Sequence, residues 1–182
     1  MEGRRGGAVL TALLVQGEGR QLDPQRSGDH IDALFRAACA MSGSRQIAED
    51  LVQETYVKVL SRPRLLRKDD DLGYLIKALR NTWYSYLRTE RGRRAASTPG
   101  GESPEDLGLP ATRANPETSL EASTVLDAVS RLPVQFREVV TAVDVAGLSY
   151  AEAARALGIR QGTVMSRLYR GREQVALALD SG

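Results

Sequence analysis

The stretch from Leu148 to Arg172, LSYAEAARALGIRQGTVMSRLYRGR, leaves this chain few folds to choose from. Ser149, followed three residues later by Glu152, makes a capping box that opens a helix by satisfying backbone N–H groups from both side chains. Ala151, Ala154 and Leu157 then repeat at helical spacing, and Gly158 stops the helix. A turn through Ile159 leads to a second helix, expected from Gly162 or Thr163, with Val164 and Leu168 pointing inward. Two short helices joined by a Gly-bearing turn form a helix-turn-helix, whose second helix enters the major groove of DNA. Between Arg155 and Arg172 there are five arginines and no acid, so this face attracts phosphate. An ordinary helical hairpin with a solvated basic face is the bland alternative; it does not require cap, turn, core spacing and charge to agree.

The rest of the chain shows where else charge is concentrated. The net charge of +2 over 182 residues is unremarkable, but its distribution is uneven. From Lys77 to Arg94 there are six basic residues against Glu90 alone; from Pro99 to Ser123 there are five acids against Arg113 alone. A basic, acidic, basic order suggests two nucleic-acid-facing modules around a different kind of connector. One cysteine excludes an internal disulfide, and one histidine with one cysteine cannot build a structural zinc site. Cys39 is expected to pack in a helix as a small apolar residue. With no Gly-rich phosphate loop and no acidic metal cluster, the parts of hydrolase or kinase chemistry are missing, so no enzyme and no cofactor is expected. No run approaches the length of a membrane span. Arg4 and Arg5 before AVLTALLV imitate a signal peptide, but the apolar run is short and lacks a cleavage pattern, so residues 1–28 are expected to be a disordered extension or to reflect a start codon assigned too early.

Taken in order, Ile31, Leu34, Phe35, Ala38 and Met41 predict a first helix ending near Ser42-Gly43. A second is predicted from Arg45 to Leu60, with Ile47, Leu51, Val52, Thr55, Tyr56 and Val59 inward. Its other side presents Asp50, Gln53, Glu54 and Val57: an acidic, amide-rich patch that suits a basic partner helix, or simply faces water. Arg62–Asp71 reads as a loop whose aspartates favour the start of the next helix. That third helix, Leu72 to Arg91, has a buried stripe of Leu72, Leu75, Ile76, Leu79, Trp83 and Leu87. A second stripe of Lys77, Arg80, Tyr84, Arg88 and Arg91 interleaves cations with an aromatic ring. That pattern suits single-stranded or opening DNA, where arginines track phosphates and rings stack on bases. Residues 96–119, with Pro99, Pro104, Pro110 and Pro116, cannot bury a core and are expected to form a flexible linker. Beyond it, Val125, Leu126, Val129 and Leu132 suit one helix broken at Pro133, and Phe136, Val139, Val140 and Val143 suit another ending at Gly147.

These motifs carry a resemblance. GLSYAEAARALGIRQGTVMSRLYRGR resembles the promoter-reading C-terminal domain of the extracytoplasmic-function (ECF) class of bacterial sigma factors, most specifically at GTVMSRLYR. AEDLVQETYVKVL is similar to the segment of these factors that docks on the clamp helices of the largest RNA polymerase subunit. The resemblance assigns Asp50, Gln53 and Glu54 to that contact. LGYLIKALRNTWYSYLRTERGRR resembles the segment that recognises and opens the −10 element. Asn81 matches the position that helps hold a flipped base, and Ile76 and Ala78 match positions lining the same pocket. Tyr74 stands where tryptophan is common and Ile76 where tyrosine is frequent, so the pocket's shape departs from the family pattern. For the −35 element the resemblance implies Arg160, Gln161, Thr163, Met165, Ser166, Arg167, Tyr169 and Arg170. Among them Met165, Ser166 and Tyr169 face base edges, and Arg160, Arg167 and Arg170 face phosphate.

The expectation is an all-α chain of two small helical domains, residues 29–95 and 120–182, joined by the linker, the second domain a helix-turn-helix. The resemblance implies a cytoplasmic sigma factor whose partners are core RNA polymerase and promoter DNA, with an anti-sigma factor as a further partner. It also suggests that the acidic linker lies in a basic channel of the polymerase. A stand-alone helix-turn-helix repressor or activator is the main rival, and a helical adaptor that binds no DNA the next. Neither uses both the acidic helix face and the basic-aromatic stripe.

Overall fold

The computed structural model describes residues 20–21, 28–61, 65–66, 70–97 and 120–180. A two-residue strand β1 (Arg20–Gln21) and a short 3-10 turn precede α1 (Ile31–Ser42) and α2 (Arg45–Ser61). Strand β2 (Leu65–Leu66) leads to the long α3 (Asp71–Ser97). After the linker come α4 (Leu120–Ser130), α5 (Val134–Val140), α6 (Tyr150–Leu157) and α7 (Gln161–Asp180). The two strands form an antiparallel pair, with Arg20 opposite Leu66 and Gln21 opposite Leu65. Part of the expected extension and part of the expected loop after α2 therefore meet in this ladder. The rest of the extension up to residue 27, and residues 98–119 of the expected linker, lie outside the described residues.

Local chemistry sets the helix ends. Gly43 takes a left-handed φ of +66°, and its N–H donates to the Cys39 carbonyl at 2.8 Å, closing α1. Ser44 then accepts the Ile47 N–H on its Oγ, so α2 starts two residues after α1 stops and the pair forms a tight hairpin. Beyond α5 the chain does not simply end a helix. Thr141–Val145 continue it as a π-helical turn, with the Ala146 N–H reaching Thr141 O at 2.9 Å, and Gly147 at φ +82° breaks it.

Helix α1 is the hub. Its Ala37, Ala38 and Ala40 are fully buried, and their small side chains let α2, α3, α4 and the π turn all approach it. Leu34 and Met41 of α1, Leu51 and Val59 of α2, and Leu75, Ile76, Leu79 and Trp83 of α3 build the N-terminal half of the core. Val129, Leu132, Phe136, Val139, Val140, Val164 and Leu168 continue it through the C-terminal half. Each fully buried Leu, Val or Phe contributes roughly 1.5–3 kcal/mol relative to exposure. The two helical units thus share one apolar cluster rather than standing apart.

Most of the expected inward faces are observed, with three changes. Ile31, expected on the apolar stripe of α1, is 47% exposed. Val125, expected in the core, is substantially exposed. In α6 the buried residues are Ala153, Ala156 and Leu157; Ala151 is exposed and Ala154 half-buried. The reason is that α6 packs against α3 as well as α7, which turns its buried face away from the one that an isolated helical hairpin would choose.

Candidate nucleic-acid interface

The helix-turn-helix is α6 and α7. Glu152 N–H donates to Ser149 Oγ at 3.3 Å, and Ser149 N–H donates to Glu152 Oε2 at 2.8 Å, completing the capping box. These bonds from Ser149 hold the Glu152 carboxyl below the usual carboxylate range. Gly158 ends α6 at φ +70°, and α7 starts at Gln161. Val164 and Leu168 face inward, and so does Gly171, whose Cα hydrogens lie against Val140 and Phe136 of α5. A Cβ at Gly171 would come within 2.5 Å of Val140 Cγ2, so only glycine permits this α5–α7 crossing as built.

The opposite face of α7 presents Met165 at 53% exposure and Tyr169 at 73%, with Gln161, Ser166 and Arg170 also exposed. Thr163 and Arg167 are half-buried, and Arg160 is exposed just before the helix. Ser166, Arg167 and Arg170 border a shallow cleft against Gln135 and Phe136 of α5. All eight residues expected at the −35 element therefore fall on or beside one helix. Two further arginines of the region are engaged elsewhere. Arg155 Nε lies 3.1 Å from Asp70 Oδ2 at the start of α3, and Arg172 forks onto Asp144 at 2.9 and 2.6 Å. Arg160, Arg167 and Arg170 make no ion pair among the described residues.

On α3, Lys77, Arg88 and Arg91 are exposed along one face, as the spacing predicts. Arg80 and Tyr84, the centre of the stripe, are half-buried, with the Glu138 side chain of α5 against them. Arg80 Nε and Tyr84 Oη both reach Glu138 Oε1, at 2.5 and 2.6 Å. The Arg80 guanidinium also lies over the Tyr84 ring, 5.1 Å from its centroid. Burial pushes the Tyr84 phenol up to about 12, helped by its hydrogen bond to the Glu138 carboxylate. For Arg80, burial opposes the charge, but the bonds and attraction from Glu138 turn the net shift upward.

Asn81 is exposed and Ala78 half-buried, but Ile76 is at 0% exposure within the core. In this structure the Ile76 side chain packs among the core residues rather than at the surface beside Asn81.

Asp50, Gln53 and Glu54 all lie exposed on α2, flanked by Val57 at 68% exposure and by Leu60. The patch is less purely acidic than the sequence suggests, since Lys58 Nζ sits 2.6 Å from Glu54 and Arg45 pairs with Glu49. Such exposed i,i+4 pairs are worth only about 0.3–0.5 kcal/mol and do not bind these side chains firmly. Among the described residues no helix is long and apolar enough to cross a membrane, and no group of three or more potential ligands is placed to hold a metal ion.

Sequence reasoning missed Arg137 and Glu138. Arg137 is buried, and its guanidinium donates at 3.0 Å to Met41 O and at 3.0 Å to Ser130 O, the carbonyl ends of α1 and α4. Burial lowers its pKa, against the attraction of Tyr84 and Glu138 nearby; among the described residues its hydrogen bonds go to the two helix C-termini rather than to a carboxylate. The available signal was a charged pair inside the apolar run Phe136–Val140.

A fold that is helical among the described residues apart from one two-residue strand pair, with a capped helix-turn-helix and a second basic-aromatic helix, falls in the class of sigma-70-type factors, and the comparisons agree. Residues 28–93 match the family described as Sigma-70 region 2, and residues 123–175 match Sigma-70, region 4. Within that class the chain belongs to the ECF RNA polymerase sigma factors. It is 35% identical to SigE of Mycolicibacterium smegmatis over 151 residues, 80% of this chain and 57% of SigE. It is 32% identical to SigM of Mycobacterium tuberculosis over 177 residues, covering 96% of this chain and 85% of SigM. The chain thus spans little more than half of SigE but most of SigM. Its fold resembles the sigma factor RpoE in complex with the anti-sigma factor NepR from Bartonella quintana, with a TM-score of 0.65 at 28% identity, covering 86% of this chain and 95% of that one. It also resembles CnrH in complex with the cytosolic domain of CnrY, with a TM-score of 0.57 at 25% identity, covering 86% of each chain.

Proposed function

We propose that this protein is a cytoplasmic initiation factor that joins core RNA polymerase, directs it to a subset of promoters and helps melt them. It acts by binding rather than by catalysis. The observation that carries this reading is α7, the second helix of the pair, whose apolar side is locked into the core while Met165, Ser166, Tyr169 and Arg170 are exposed on the other. Met165 offers only apolar contact, for instance to a thymine methyl, and Arg160, Arg167 and Arg170 hold phosphates. Asp50, Gln53 and Glu54 of α2 form the polymerase contact. On α3, Lys77, Arg80, Tyr84, Arg88 and Arg91 track the opened −10 strand. Beside them Asn81 offers an amide donor and acceptor to a flipped base, with Ala78 at its side. The fold's likeness to the sigma factor RpoE, solved with the anti-sigma factor NepR, supports an anti-sigma factor as a further ligand.

The test is run-off transcription with purified core enzyme on a genomic promoter library. Transcription is expected only with both components, from promoters sharing a −35 sequence. Reversing charge with Asp50→Arg and Glu54→Arg should abolish core binding, because like charges at such a contact cost several kcal/mol. These exposed positions leave the circular dichroism native. Unchanged core affinity in the folded double variant would overturn the α2 assignment. Promoter binding by the protein alone, unaffected by core enzyme, would instead favour a free-standing regulator.

A further inference from the structure

Glu138 belongs to the C-terminal unit, yet its carboxylate is spent on the N-terminal unit's DNA stripe. We infer that it acts as an internal substitute for a nucleic-acid phosphate on Arg80 and Tyr84. The closed packing of the two units and single-strand binding by α3 then exclude each other. This rests on the proposed reading of the α3 stripe as a single-strand surface.

The geometry is specific. One oxygen, Glu138 Oε1, receives both the Arg80 guanidinium and the Tyr84 hydroxyl, which are the groups on this face that would grip a phosphate oxygen. The Glu138 side chain is only 12% exposed, so the pair is shielded from water and less screened by salt than a surface ion pair. The Tyr84 ring is occupied as well, since the Arg80 guanidinium covers it where a base would stack. The outer members of the stripe, Lys77, Arg88 and Arg91, stay exposed and make no ion pair among the described residues. A strand approaching α3 therefore finds the flanking cations ready but the centre taken. Glu138 cannot simply swing aside, because α5 is fixed one residue away by Arg137 on the Met41 carbonyl. A second crossing pair, Arg155–Asp70, ties α6 to the start of α3.

Exchange of the carboxylate for a phosphate replaces one negative charge by another, so Arg80 need never be left half-buried without a counter-ion. That makes displacement by DNA feasible, while keeping the free protein's affinity for stray single strands low.

The test uses the full chain and a fluorescein-labelled single-stranded DNA oligonucleotide of mixed sequence, with binding followed by anisotropy. Glu138→Gln keeps the shape but removes the competing charge, and should tighten binding about fivefold, equivalent to about 1 kcal/mol. Tyr84→Phe, which keeps the ring but loses a donor to Glu138 and to a phosphate alike, should change it less than Glu138→Gln does. Adding Arg80→Ala to Glu138→Gln should return affinity to the wild-type level or below. If Glu138→Gln and Tyr84→Phe leave affinity unchanged while Arg80→Ala alone weakens it, the stripe binds DNA beside a seated Glu138: the substitution idea falls and the stripe stands. If Arg80→Ala changes nothing in either background, α3 is not a single-strand surface at this residue, and both readings fall.

Discussion

Removal of the Arg137 guanidinium should be among the most damaging single substitutions outside the apolar core. Arg137 is buried and donates to Met41 O of one unit and Ser130 O of the other, both at 3.0 Å. Hydrogen bonds from a charged donor contribute about 1.5–3 kcal/mol each, and a buried carbonyl left without its donor costs about 1–3 kcal/mol. Opposing this, the folded protein bears the desolvation of an arginine whose hydrogen bonds go to carbonyls rather than to a carboxylate, so the two bonds do not count in full. Arg137→Met, which keeps the stem's volume, should therefore cost about 2–4 kcal/mol, towards the upper end of single-residue effects. Arg137→Lys keeps the charge, but its shorter side chain does not carry the ammonium to the position from which Nη1 serves both carbonyls, and it should cost less than the Met variant. Urea unfolding of the full chain, read by linear extrapolation, measures both. Because the residue ties the units together, the loss should appear in the unfolding of both units. An Arg137→Met protein within about 0.5 kcal/mol of wild type would refute the reasoning: burial would then cancel the bonds, and apolar packing alone would hold the units.

Three further outcomes follow from local geometry. Gly171→Ala gains about 1 kcal/mol of helix propensity, but its Cβ meets Val140 Cγ2 at 2.5 Å in a buried crossing, and overpacking of about 1–3 kcal/mol should prevail. Gly162→Ala, with open space around it, should instead stabilise; thermal melts giving both variants the same sign would contradict the packing account. Ser149→Ala should cost about 1 kcal/mol of stability. The Glu152 pKa is depressed on folding, so its share of the cap is full above the ordinary value of 4.5 and is lost as pH falls through the lower folded value; the penalty of Glu152→Ala, measured by denaturation across that range, should shrink with acid. Burial pushes the Cys39 thiol up from 9.0 to about 11, which cuts its thiolate fraction roughly a hundredfold, and Ellman's reagent should find it correspondingly slow; labelling at the rate of a free cysteine would refute its packing.

What the sequence made legible was local. Ser149 with Glu152, Gly43 and Gly158 act within one helical turn, so their spacing alone located the ends of α1 and α6. The apolar stripe of α3 was equally plain, because Leu75, Leu79 and Trp83 are large and leave little choice of phase. Helix α6 was ambiguous: alanines at 151, 153, 154 and 156 offer two possible faces, and the choice between them is made by α3, which lies far away in sequence. Ile76 belongs to the α3 stripe, and its burial follows from that stripe's phase. The contact between the units was out of reach, for Arg137 and Met41 lie 96 residues apart with no periodic signal joining them. Positions 50, 53 and 54 were legible as exposed because a helix with a clear core face defines its other face by elimination.

The pairing of Arg155 with Asp70 and Arg172 with Asp144 changes how many counterions duplex binding can displace. If all five arginines between Arg155 and Arg172 met phosphates, the logarithm of the binding constant would fall with log salt at a slope of about −4.5. With two already neutralised inside the molecule, Arg160, Arg167 and Arg170 leave a slope of about −2.7. On the proposed duplex reading, the helix-turn-helix should therefore show a milder dependence on ionic strength than its composition implies. Asp144→Asn, which frees Arg172, should steepen the slope by about 0.9 without altering a single residue on the base-reading face.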